Sequence, residues 1–203
     1  MKNNSGNVAA FALVFLLIVM AVVGGIIVLN YNGIVSAEKS VEESQAQIAT
    51  VCQRRLDLLP NLIETVKAYA KHEKETLTAV VTARAQASSA LNQLQSGEDK
   101  ATLSQVAATQ MGLTRAMRGL FAIVENYPNL RASSNFMALQ DQFEGTENRI
   151  AVARQRYNSS VRFYNTKIET FPGVFIAPIF GFGEKEFYEV QEEAAYQPVR
   201  AEF

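Results

Sequence analysis

FMALQDQFEGTENRIAVARQRYNSSVRFYNTKIETF, from Phe136 to Phe171, carries an apolar or aromatic residue at every seventh position: Phe136, Phe143, Ile150, Tyr157, Tyr164 and Phe171. Leu139, Ala153, Val161 and Ile168 flank that series. A strict seven-residue repeat keeps one face of an α-helix apolar and describes the seam of a left-handed supercoil. Such a seam is buried only against other helices, so an all-α bundle is the expected fold.

Toward the amino end the same helical spacing recurs. A helix expected over 98–127 carries Leu103, Val106, Leu113, Met117, Leu120, Phe121 and Val124, with Glu98 and Asp99 at its positive end. Gly112 and Gly119 lie inside it, and each costs about 1 kcal/mol relative to alanine, so close approach of a neighbouring backbone is expected there. A helix expected over 61–96 carries Leu62, Ile63, Val66, Tyr69, Leu77, Val80, Val81, Leu91 and Leu94. It opens on Pro60 and the Asn61–Glu64 cap and closes at Ser96-Gly97. Tyr31, Ile34, Val35, Val41, Ile48, Val51 and Cys52 mark a helix over 30–57, and the repeat at Phe136–Phe171 belongs to one over 131–170. Pro60-Asn61-Leu62 recurs as Pro128-Asn129-Leu130, which reads as one turn used twice. Two antiparallel hairpins result, giving an elongated up-and-down four-helix bundle over 30–170, on the order of 50 Å long.

Before the bundle stands VAAFALVFLLIVMAVVGGIIVL, Val8 to Leu29, 22 residues without a charge. As a helix it is roughly 33 Å long, enough to cross a hydrocarbon core of about 30 Å. It follows a short segment, residues 1–7, and is expected to run directly into the first bundle helix as a rigid stem. Val35-Ser36-Ala37 resembles a signal cleavage site, but the apolar core is longer than the roughly 7–15 residues of a signal, so a retained anchor is the expectation. Lys2 lies on one side and Lys39 on the other, with Arg54 and Arg55 farther off. That balance leans toward a soluble domain outside the cytoplasm.

After the bundle, FPGVFIAPIFGFGEKEFYEV and the acidic remainder form a tail over 171–203. Its Pro172, Gly173, Pro178, Gly181 and Gly183 argue against a regular helix. Either it packs along the bundle as a strap, through Phe175, Ile176, Ile179 and Phe180, or it docks on a partner or membrane surface. Phe175, Phe180, Phe182, Phe187 and Tyr188 are the candidate docking residues.

Composition narrows the chemistry. The chain has 19 basic and 20 acidic side chains, so no strong field selects nucleic acid. A single cysteine, Cys52, excludes an internal disulfide and a cysteine-cluster metal site, and its apolar position suits core packing. The single histidine, His72, lacks the second histidine of a zinc helix and the partners of a serine triad. Glu73 and Glu75 fall on different sides of a helix, and neither a phosphate loop nor a Glu-x-x-His di-iron motif occurs. No cofactor, metal or catalytic residue is expected.

Two long stretches resemble a known family. QRRLDLLPNLIETVKAYAKHEKETLTAVVTAR (Gln53 to Arg84) and NRIAVARQRYNSSVRFYNTKIETFP (Asn148 to Pro172) are similar to the hallmark segments of the LemA family. Ala177, Phe180-Gly181-Phe182 and Tyr31-Asn32 after the anchor fit the same pattern. The resemblance implies a bacterial single-pass membrane protein with a helical-bundle domain, relatives in magnetosome membranes, and no established enzymatic activity. The polar residues of those segments, Arg54, Arg55, Asp57, Asn148, Arg149, Arg154, Asn158 and Asn165, sit in or beside apolar stripes. They read either as an interhelical network that fixes register or as a partner or ligand site.

The expected function is a non-enzymatic scaffold or partner-binding protein at a bacterial inner membrane. Its partners are the bilayer, through the anchor, and an unidentified membrane protein. One alternative is a periplasmic small-molecule sensor or receptor subunit; with seven residues before Val8, its output would depend on another chain. The other alternative is a homo-oligomeric structural membrane protein.

Overall fold

The computed structural model describes residues 5–96 and 103–188. Residues 1–4, Gly97, Glu98, Asp99 and the acidic end of the tail, with the expectations placed on them, lie outside the described residues. Among the described residues there are six helices and no strand: α1 (Ser5–Tyr69), α2 (Lys74–Ser96), α3 (Leu103–Val124), α4 (Pro128–Arg131), α5 (Ser134–Glu169) and α6 (Gly173–Phe180).

The described residues fall into two compact units. Of the described residues, one unit joins α1 up to Glu43 with Ser159–Glu186; the other joins those of Ser44–Asn158 with Phe187 and Tyr188. In the second unit α1, α2, α3 and α5 each turn an apolar stripe inward. The core includes Ile48, Cys52, Leu56, Leu59 and Leu62 of α1, Val80, Ala87 and Leu91 of α2, and Leu113, Met117 and Leu120 of α3. From α5 it takes Phe136, Phe143 and Ile150, with Phe121 of α3 edge-on to both phenylalanines. The seven-residue seam therefore does what its period implies in this unit, and in the first unit Tyr164 is likewise buried. Its last member, Phe171, lies past the end of α5 and is 81% exposed.

The expected break at Leu56–Pro60 is not there. α1 continues through Pro60 to Tyr69, and the turn falls instead at Ala70–Glu73. A proline inside a helix removes the hydrogen bond to the carbonyl four residues back, here that of Leu56. Arg84 Nε of α2 donates to that carbonyl at 3.2 Å, so the freed acceptor is satisfied from the neighbouring helix. Leu56, Leu59 and Leu62 are buried on one face, so packing supports the helix across the site. At Pro128 the same tripeptide does start a new element, the single turn α4, with proline at its first position where no amide hydrogen is needed. α5 accordingly begins at Ser134 rather than 131, and α3 ends at Val124 rather than 127. Gly112 and Gly119 face open space: a Cβ at either would meet nothing within 4 Å, so no close helix approach accounts for them.

In the tail, Gly173–Phe180 is helical despite Pro178. Gly173 permits this, since a Cβ there would lie 2.0 Å from the Lys167 carbonyl oxygen. Gly181, at φ 77°, ends the helix in the left-handed conformation, and Phe182 N–H closes the turn on Ala177 O at 3.0 Å.

At the other end of the chain, α1 presents an apolar window of 18 residues with mean hydropathy 3.2, none of it buried in the protein. Phe11 to Leu29 are exposed throughout. By length and composition this helix is a candidate to cross a membrane.

Candidate functional site

The second unit is built around one buried cation. Arg55 of α1 is 1% exposed. Its Nη1 donates to Gln110 Oε1 at 3.2 Å, and its Nη2 donates to Thr114 Oγ1 at 2.8 Å, both on α3. Nη2 also pairs with Glu147 Oε1 of α5, while the guanidinium carbon lies 4.6 Å from the centre of the Phe143 ring. Three helices therefore meet at one side chain whose planar fork can address two partners at once. Burial pushes the guanidinium pKa down and the Glu147 carboxylate opposes that shift. Arg55 Nε and Gln110 Nε2 are buried and make no hydrogen bond.

Cys52, one turn before Arg55, is fully buried. Burial raises its thiol pKa to about 11, with Arg55 pulling it back and Glu147 adding to the rise. At neutral pH it is a packed thiol and not a thiolate nucleophile.

The polypeptide after α6 is held by asparagines of α5. In the first unit, Asn165 Nδ2 donates to Lys185 O at 2.9 Å and its Oδ1 accepts from Lys185 N–H at 3.0 Å. Tyr164 OH donates to Gly183 O at 3.0 Å, and Lys185 Nζ pairs with Glu38 of α1 at 2.8 Å. In the second unit, Asn158 repeats the double bond on Tyr188, donating to its carbonyl at 3.2 Å and accepting from its N–H at 2.8 Å. Arg154 lies 5.0 Å from the centre of the Tyr188 ring. Burial raises the Tyr188 hydroxyl pKa, against the pull of Arg154 and Arg55. A carboxamide that binds both backbone groups of one residue substitutes for a neighbouring strand.

The residues singled out in the sequence thus separate. Arg55 is the hub; Arg154, Asn158 and Asn165 bind the strap. Arg54, Asp57, Asn148 and Arg149 are exposed, with Asp57 accepting from Gln53 at 2.7 Å. Of the aromatic tail, Tyr188 is buried, Phe182 is half-buried, and Phe175, Phe180 and Phe187 are exposed. His72 is exposed in the α1–α2 turn, where Glu73 accepts from Tyr127 OH at 3.0 Å. Gln110, Thr114 and Glu147 were not picked out from the sequence. Gln110 carried a signal: it occupies an apolar-stripe position, four residues after Val106 and three before Leu113. An open cleft of about 410 Å³ lies elsewhere on this unit, lined by Arg118, Phe121, Glu125, Arg131, Phe136 and Gln140 among others.

A candidate membrane helix and a helical bundle whose polar groups knit its own helices together are the marks of a membrane-associated helical protein. The LemA family model matches residues 44–203, and the chain belongs to the LemA family. It is similar to magnetosome proteins MamQ 1 and MamQ 2 of Paramagnetospirillum magneticum strain ATCC 700264 / AMB-1. Each is 25% identical over 91% of this chain and 73% of its own length. Magnetosome protein MamQ of Magnetospirillum gryphiswaldense is also 25% identical, over 80% of this chain and 65% of its own length.

Proposed function

We propose that the chain is a non-catalytic scaffold that holds a partner protein at a bacterial inner membrane, with the bundle outside the cytoplasm. The observation that carries this reading is α1: one unbroken helix, Ser5–Tyr69, is apolar and exposed in its first part and a core helix of the bundle in its last. A bundle fixed to the bilayer in this way meets membrane partners at raised effective concentration. The polar residues its fold leaves outward, among them Arg54, Asp57, Asn148 and Arg149, are the surface available for recognition. The relatives' names associate them with magnetosomes; for this chain the shared property is residence at a membrane.

Proximity labelling from the full chain in cells tests the scaffold. A reproducible membrane-protein partner, lost when Arg54, Asp57, Asn148 and Arg149 are replaced by alanine together, is the expected result. A labelled set identical to that of an unrelated anchored protein would overturn it. Sidedness is read separately with Lys71→Cys: Cys52 is buried, so an impermeant maleimide should label only the introduced thiol, and in intact cells.

A further inference from the structure

α6 leaves an apolar face uncovered. Phe175 is 67% exposed and Ile179 77%, four residues apart on one side of the helix, while Ile176 and Ala177 on the other side are buried against the protein. Phe171 and Val174 extend the exposed face. From Thr170 to Gly183 there is no charged residue. An exposed apolar patch of this kind marks a contact site.

The first unit states where that face lies. Tyr31 follows the last apolar residue of the span, Leu29, by two positions, which is about 3 Å along the helix. Its ring is 4.8 Å from that of Phe180 and 5.6 Å from that of Phe182, so the end of α6 is fixed where α1 leaves the hydrocarbon. At the same level the Lys167 ammonium lies against Gly33, 2.7 Å from where a Cβ would be. Lys167 also sits 5.3 Å from the centre of the exposed Phe163 ring. Aromatic rings and a lysine at the end of a span are the side chains that suit the headgroup zone, where an apolar helix face sinks about 5–10 Å below the surface.

We propose that α6 is an interfacial membrane helix: its Phe175–Ile179 face inserts into the same bilayer leaflet from which α1 emerges. The inference rests on Val8–Leu29 spanning that bilayer. The chain then has two lipid contacts, one crossing and one lying in the interface, joined through Tyr31.

The chain contains no tryptophan, so single-tryptophan variants report depth without background. Phe175→Trp and Ile179→Trp, each in the full chain reconstituted in phosphatidylcholine vesicles, are compared with Ile18→Trp in the span and Glu42→Trp farther along α1. Lipids brominated near the headgroup should quench positions 175 and 179 more than lipids brominated near the chain end. Position 18 should show the reverse order, and position 42 no quenching. Tryptophans at 175 and 179 that stay unquenched while position 18 is quenched would overturn the interfacial helix and leave the anchor intact. Shielding at 175 that depends on protein density and not on bromine would overturn it in favour of a second copy. Loss of quenching at position 18 would remove the anchor on which the inference stands.

Discussion

A guanidinium buried as fully as that of Arg55 keeps its proton, so its charge has to be met where it sits. Glu147 supplies the negative charge, and Gln110 and Thr114 supply neutral acceptors. Removing one partner of such a pair leaves a buried charge alone, which costs about 3–5 kcal/mol when both groups are deep; the partial exposure of Glu147 puts this case nearer 2–3 kcal/mol. Glu147→Gln should therefore lower unfolding stability by that amount, measured by denaturant titration in detergent. Combining it with Arg55→Met should restore most of the loss, because the uncompensated charge is gone. Cys52 gives a pH test. Its thiol pKa rises from 9.0 to about 11 on folding, so between those values the unfolded chain releases a proton that the folded chain retains. Stability is then full below pH 9 and falls as pH rises, by about 2–3 kcal/mol across the window. Cys52→Ala should flatten the melting temperature between pH 9 and 10, with Tyr188 adding its own decline at higher pH.

At the scale of single elements, stripes and proline diverge. The stripes of α3 and α5 were legible because a helical face depends on spacing along the chain alone. Pro60 was not legible, because its outcome depends on whether another helix brings a donor to Leu56 O; Arg84, 28 residues distant, does. Pro128, with the same two residues after it, has its turn made locally by Tyr127 N–H bonding to Val124 O and Leu130 N–H bonding to Tyr127 O. Gly112 and Gly119 lie within α3 with open space beside them. Gly112→Ala and Gly119→Ala should each stabilise the bundle by about 0.5–1 kcal/mol, read as a raised denaturation midpoint with unchanged slope. The helix in the tail was hidden by its proline and glycines. Gly173 is required there by a backbone contact with Lys167, and Pro178 still leaves room for a two-turn helix.

For the whole molecule, the long apolar helix, the all-α class and family membership were all readable from residue order. Apolar length and helical period are properties of neighbours in sequence, and hydrophobic burial rewards them whatever the detailed packing. The candidate site was readable only in part. Arg55 stood out as a charge in an apolar stripe, but its partners are 55, 59 and 92 residues away, and only tertiary packing selects them. The asparagine pair was visible as a seven-residue spacing, and only the folded chain shows that it grips Lys185 and Tyr188. It also separates the tail into a held strap and an uncovered apolar helix. Sequence by itself determined the apolar stripes of α3 and α5 and that one segment is long and apolar enough to cross a membrane. Tertiary structure alone decided where the buried polar groups find partners and which apolar surface stays open. The reason is physical: local spacing sets a helix's faces, whereas satisfying a buried charge or a freed carbonyl requires a group delivered from elsewhere in the chain.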